Sequence, residues 1–125
     1  SPTTGKSSSG PSMVQNDGIT LDYYSWSVPY PSPQKPFFEY MGSESTSSIE
    51  MDYMEIYSVH SLNWGSQDIL WTGDVNVSSL SVSDWHSQAP WPYFWEVVGV
   101  HNFERWSYPP RVLFSDNSYA YDGNL

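Results

Sequence analysis

The chain has 125 residues, a formal net charge of -10, four Lys or Arg, no Cys, and many rings: seven Trp, ten Tyr and five Phe. The length suits one domain. The charge argues against a phosphate backbone as partner, since binding one needs clustered cations, and the missing thiols exclude cysteine catalysis, disulfides and Cys-based zinc sites.

With two Ala, 23 Ser and ten Pro, long helices lack their best former and meet repeated breakers. Leu, Ile, Val and Phe together number only 25, so the composition predicts a β domain whose core is built largely from rings. Residues 1–12 carry no apolar side chain other than Pro2 and Pro11 and predict a Ser/Thr/Pro/Gly linker, a hinge from an upstream domain. The domain proper is expected over residues 13–125. No apolar run approaches the ~20 residues needed to span a bilayer as a helix.

Asn16-Asp17-Gly18 is strong turn chemistry, so Met13–Gln15 is expected to pair back on the strand that follows. In that strand Ile19, Leu21 and Tyr23 alternate, whereas Trp26 and Val28 have the opposite parity, which predicts a bulge near Tyr23-Tyr24. Pro29, Pro31, Pro33 and Pro36 make an extended loop. A strand is expected at Phe37–Met41, a polar loop at Gly42–Ser48, and a central strand at Ile49–His60. In the central strand Ile49, Met51, Tyr53, Tyr57 and Val59 share one face and Met54 and Ile56 the other.

Ile69, Trp71, Val75 and Val77 alternate in a further strand, interrupted at Gly73, and Leu80 and Val82 extend or pair with it. Ser83–Pro92 reads as loop, Tyr93–Phe103 as a strong strand, and Val112–Phe114 and Tyr119–Tyr121 as two more. About seven to nine short antiparallel strands with little helix predict an all-β sandwich or barrel-like domain. Trp26, Trp71 and Trp95 lie within strand patterns and are expected inside.

No nucleophile elbow, zinc-protease motif or phosphate loop surrounds His60, His86 or His101, so no catalytic residues are assigned and no enzyme activity is expected. Asp84 and His86 fall on one strand face, a two-ligand hint that lacks a third. Asp116 and Asp122 sit in Asp/Asn/Ser/Gly runs and are the weak candidates for calcium, the sole cofactor considered. Glu50 and Asp52 read as a solvated strand face rather than a glycosidase pair. The recognition candidates are Trp64, Trp85, His86, Trp91 and Tyr93: rings held at loop tips and between prolines are rigid and amphipathic.

The tether, the segment from Pro11 to Pro31 (PSMVQNDGITLDYYSWSVPYP) and Asn102-Phe103-Glu104-Arg105-Trp106-Ser107 resemble, along essentially the whole chain, the C-terminal protruding domain of nodavirus capsid proteins. The likeness is greatest to those of shrimp and prawn nodaviruses. The resemblance implies a virion surface spike hinged on an upstream shell domain. It also implies a basic RNA-binding arm upstream, association as a homodimer or trimer, and contact with a host receptor or glycan. This domain would neither bind nucleic acid nor insert in a membrane. The rival expectation is a secreted carbohydrate-binding module using Trp64, Trp85, Trp91 and Tyr93 as stacking platforms.

Overall fold

The computed structural model describes residues 12–16, 18–29, 38–65, 67–87 and 92–123. Among the described residues six antiparallel strands form one sheet: β1 (Ser12–Asn16), β2 (Ile19–Pro29), β3 (Phe38–Leu62), β4 (Gln67–Ser87), β5 (Phe94–Arg105) and β6 (Val112–Gly123). The order is β1-β2-β3-β5-β6, with β4 paired to β3. Residues 1–11 of the expected tether, the proline-rich residues 30–37 and residues 88–91 lie outside the described residues, and Ser12 already belongs to β1.

The sheet closes on itself because β3 and β4 are long. The first half of β3 pairs with β2, from Leu21↔Ser47 to Pro29↔Glu39, and with the second half of β4. The β3–β4 register shifts between Thr46 and Met51, Asn76 of β4 takes a left-handed conformation with φ 56°, and the second half of β3 then pairs with β5. One half of the sheet is therefore β1, β2 and half of each long strand; the other is the remaining halves with β5 and β6. These two layers face each other, which gives the expected all-β sandwich. Counted by layer it has four strand segments on each side, built from six strands because two of them serve both layers.

Three expectations change. Gly42–Ser48 is not a loop but the interior of β3, where Ser43 and Ser45 are fully buried. Ser83–Ser87 is likewise the end of β4. The predicted bulge near Tyr23 is unnecessary: β2 stays in register with β3, and Trp26 is buried on the outward side by lying over Gly42, where a Cβ would come within 2.5 Å of the indole.

Apolar packing is split into two clusters. Ile19, Leu21, Tyr23, Met51, Met54, Phe103 and Val112 fill one end of the interlayer space. Met41, Trp95 and Val97 fill the other, with Leu62 and Tyr93 against them. Along β5 the inward residues run Trp95, Val97, Gly99, His101, Phe103, so a polar zone at Gly99 and His101 separates the clusters.

Candidate functional site

The polar zone between the layers is a continuous string of hydrogen bonds. Ser25 Oγ lies 2.6 Å from Ser118 Oγ and 2.8 Å from Ser43 Oγ, and Ser43 Oγ is 2.9 Å from Ser58 Oγ. Ser58 continues to His60 Nε2 at 2.8 Å, and His60 Nδ1 to His86 Nε2 at 2.7 Å. His86 Nδ1 faces the Asp68 carboxylate at 3.4 Å. At the other end, Ser118 contacts His101 Nε2 at 2.6 Å and His101 Nδ1 contacts Ser45 at 2.7 Å. Gly99 makes room for the crossing: a Cβ there would stand 2.6 Å from the hydroxyls of Ser25 and Ser43 and 2.7 Å from that of Ser118.

Burial holds the internal imidazoles neutral. The pKa of His60 is pushed down to about 3, first by desolvation and then by the neighbouring His86. That of His101 falls to about 4 through desolvation, against a small opposing pull from Asp116. Beyond His101, Tyr23 donates to Asp116 Oδ2 at 2.5 Å. Burial and that carboxylate raise the phenol to about 12, while the bonds from Tyr23 and the Asn117 backbone lower the Asp116 carboxyl.

The outer surface has the opposite composition. On the β4-β3-β5-β6 layer the register places residues in rows: Ile69, Val59, Val98, Tyr119; then Trp71, Tyr57, Val100, Asn117; then Gly73, Glu55, Asn102, Ser115. Ile69 is 64% exposed and Trp71 54%, and Tyr57, Tyr119 and Tyr121 are also exposed. Trp71, expected inside, is therefore on the surface, whereas Trp26 and Trp95 are buried as expected.

These surface rings are held in place. Glu55 accepts hydrogen bonds from Trp71 Nε1, Tyr53 OH and Asn102 Nδ2, each at 2.9 Å. Burial raises its pKa, but the three donors together outweigh that and leave the carboxyl below its ordinary value. The Trp71 indole lies over Gly73, where a Cβ would stand 2.7 Å from the ring. Tyr119 OH donates to Glu96. Neither carboxylate thus faces out as a bare charge.

The predicted recognition residues divide between regions. Trp64, at the β3–β4 turn, stacks on Phe94 with centroids 5.0 Å apart and planes at 29°. Phe94 contacts Tyr121, and Tyr121 contacts Tyr119, continuing a ribbon at the edge of the outer face. Trp85 belongs to a second ribbon on the other layer, with Tyr40, Trp26 and Tyr24. His86, next to Trp85 in sequence, points inward into the hydrogen-bonded string, and Tyr93 is half-buried against the Met41 cluster. Trp91 lies outside the described residues. Trp64 and Trp85 are not brought together into one platform.

Asp116 and Asp122 do not form a calcium site together. Both lie on β6, opposite His101 and Trp95, six residues or roughly 20 Å apart on an extended strand, and Asp122 is fully buried. Among the described residues no group of three His, Cys, Asp or Glu is arranged to hold a metal ion. Asp84, the other half of the Asp84/His86 hint, is exposed.

Sequence reasoning missed an anchored loop. The Asp52 carboxylate accepts from the backbone N–H groups of Trp106 at 2.6 Å and Ser107 at 2.8 Å, and from the Ser107 hydroxyl. These bonds lower the Asp52 pKa and fix a β5–β6 connection that exposes Trp106 and Tyr108, with the Arg105 guanidinium 5.9 Å from the Tyr108 ring centroid. In the sequence Asp52 looks like a solvated strand residue, and only the fold brings residue 106 to it. A scan against protein-family models gives no match for the chain, and neither does a search of curated proteins.

Proposed function

We propose that the domain is a non-enzymatic association module, the protruding spike of a nodavirus-like capsid protein, which pairs with a second copy and presents its loops to a host receptor. The observation that carries self-association is the inverted polarity of the sheet. Ser25, Ser43, Ser45, Ser58, His60 and His101 are buried while Ile69, Trp71, Val75 and Tyr57 lie outside. Contiguous exposed apolar surface of this kind marks an interaction site. The rings are already ordered by Glu55 and Gly73, so docking them costs little side-chain entropy.

A second copy fits better than a charged partner, because the Ile69–Tyr119 row is apolar, the Trp71 row is apolar except for Asn117, and Glu55 beside them is occupied internally. Two such faces meeting about a two-fold axis give an isologous interface. The virion setting and the receptor role rest on the sequence resemblance; the loop presenting Trp106 and Tyr108 is the rigid element suited to receptor contact.

The test is sedimentation of the domain over a micromolar concentration series. A concentration-dependent dimer is expected, tightening as salt screens the repulsion between two copies of charge -10. Trp71→Glu should leave a folded monomer. A strictly monomeric wild type at high micromolar concentration removes self-association, and an association that salt weakens shows that contacts between opposite charges, not the apolar rows, hold the copies together. The carbohydrate reading is tested on a glycan array: binding lost in Trp64→Ala or Trp85→Ala would support it, although the separation of those two rings disfavours it.

A further inference from the structure

The β3–β4 turn carries a bulky ring where the backbone favours none. Asn63 and Trp64 have φ of 51° and 57°, and the Gly65 N–H donates to the Leu62 carbonyl at 2.9 Å, as in a two-residue hairpin turn whose central residues are both left-handed. Asn and Gly fill such positions at least cost, whereas a Cβ in the left-handed region crowds the following carbonyl. The first position holds an Asn; the second holds Trp64. A bulky residue kept in a strained conformation points to a use for its side chain.

The surroundings fix that side chain and leave it open. Asn63 donates its N–H to the Phe94 carbonyl and accepts from the Phe94 N–H through Oδ1, both at 2.7 Å. The turn is thereby tied to the residue on which the Trp64 indole stacks. One indole face is backed by Phe94, yet Trp64 is 66% exposed, so its free area lies on the opposite face and the edges. Beside the stack runs a polar row. The register aligns Gln67, Ser61, Glu96 and Tyr121, on the same face as the Ile69 row by strand alternation and roughly 7 Å from it. Gln67 and Tyr121 are exposed, and Ser61 and Glu96 are half-buried. Glu96 accepts from Tyr119 through Oε2, which leaves its other oxygen to a ligand.

We propose that Trp64, backed by Phe94 and flanked by the Gln67, Ser61 and Glu96 row, is a subsite for one pyranose ring of a neutral saccharide. A pyranose has an apolar C–H face and a rim of hydroxyls that each donate and accept. The indole suits the face, and the row offers the rim an amide, a hydroxyl and a carboxylate oxygen. Charge selects a neutral sugar: the row holds a carboxylate and no cation, in a chain of charge -10, and Arg105 lies at the opposite end of β5 from Phe94. A proline-rich peptide, which also stacks on Trp, has no N–H at its prolines to offer Glu96. One ring suffices for one pyranose, so the separation of Trp64 from Trp85 does not bear on the subsite. It is formed within one copy and stands independently of self-association and of the virion setting.

The experiment is an array of neutral hexose and N-acetylhexosamine oligosaccharides with their sialylated and sulfated counterparts, probed with the folded domain, then titration of the strongest neutral hit. Trp64→Gly is the discriminating variant, because it gives the turn an unstrained Asn-Gly pair. Binding is expected to weaken about tenfold or more, while the urea midpoint stays at or above the wild-type value. A ring that served only the fold would give the reverse, a lowered midpoint with unchanged affinity. Trp85→Ala, on the other layer, should bind as wild type does. Should Trp64→Gly fold poorly, the double variant Ser61→Ala/Gln67→Ala keeps the ring and removes two rim partners. It should weaken binding several-fold, and unchanged affinity there overturns the subsite. An array without neutral hits, hits confined to acidic glycans, or binding that survives Trp64→Gly overturns it as well.

Discussion

Two surfaces of the same sheet carry nearly opposite chemistry. Midway between the layers, hydroxyls and imidazoles meet around Gly99, whereas the outside of β4, β3, β5 and β6 presents Ile, Trp, Tyr and Val. The inner seam is bounded at both ends by apolar clusters, which supply most of the hydrophobic stabilisation. The outer rings add little to folding because they remain wet. Geometry is the seam's contribution: each hydroxyl sits between specified partners, so a layer slipped by one residue would leave buried donors unsatisfied, at about 1–3 kcal/mol each. The contrast separates residues that fix how the layers meet from residues available to another molecule.

The largest effect should come from filling the crossing point. Gly99→Ala places a methyl 2.6 Å from two serine hydroxyls, and those serines escape only by rotating out of their hydrogen bonds. Overpacking and lost bonds together predict about 3 kcal/mol or more of destabilisation, read as a lowered urea midpoint. A midpoint within error of wild type would show that the seam is not tightly packed.

Acid should weaken the seam next. His60 and His101 have folded pKa values of about 3 and about 4, against an ordinary 6.5. Between those limits the unfolded chain binds protons that the folded chain refuses. Stability is therefore full above pH 6.5 and declines as pH falls toward 4. Displacements from 6.5 to about 4 and to about 3 correspond in full to roughly 3 and roughly 5 kcal/mol. Urea midpoints across pH 7 to 4 measure the decline, and His101→Asn should flatten part of it. Ser43→Ala, which leaves Ser25 and Ser58 each short of one partner, should cost about 2 kcal/mol at neutral pH.

The same contrast explains what could be read from the chain. β5 was legible because Trp95, Val97 and Phe103 alternate with more exposed residues, as a half-buried strand requires. Gly42–Ser48 read as a loop because its inward residues are serine, and pattern reading equates polar with solvated. Trp71 was placed inside for the mirror-image reason. The alternation puts Met51 on the face of Tyr53, but Met51 is buried in the interlayer cluster whereas the Tyr53 hydroxyl reaches Glu55 on the outer side. Nothing in the spacing of residues 60, 68 and 86 shows that a folded-over hairpin brings His60, Asp68 and His86 together.

The smallest effect on folding should come from the outer face, and there the two regions separate most clearly. Trp71→Ala removes one of three donors to Glu55, leaving Tyr53 and Asn102 in place. It opens no interior cavity, because the indole is 54% exposed. Surface substitutions of this type shift stability by about 0.5 kcal/mol or less. Association should respond far more, since a large aromatic at the centre of an interface commonly contributes about 2 kcal/mol or more to binding, a weakening of roughly 30-fold in the dimer constant by sedimentation. A Trp71→Ala domain with wild-type urea midpoint and lost self-association would show that the outer rings serve contact rather than folding. One that unfolds early while still pairing would assign the ring to the fold and move the interface elsewhere.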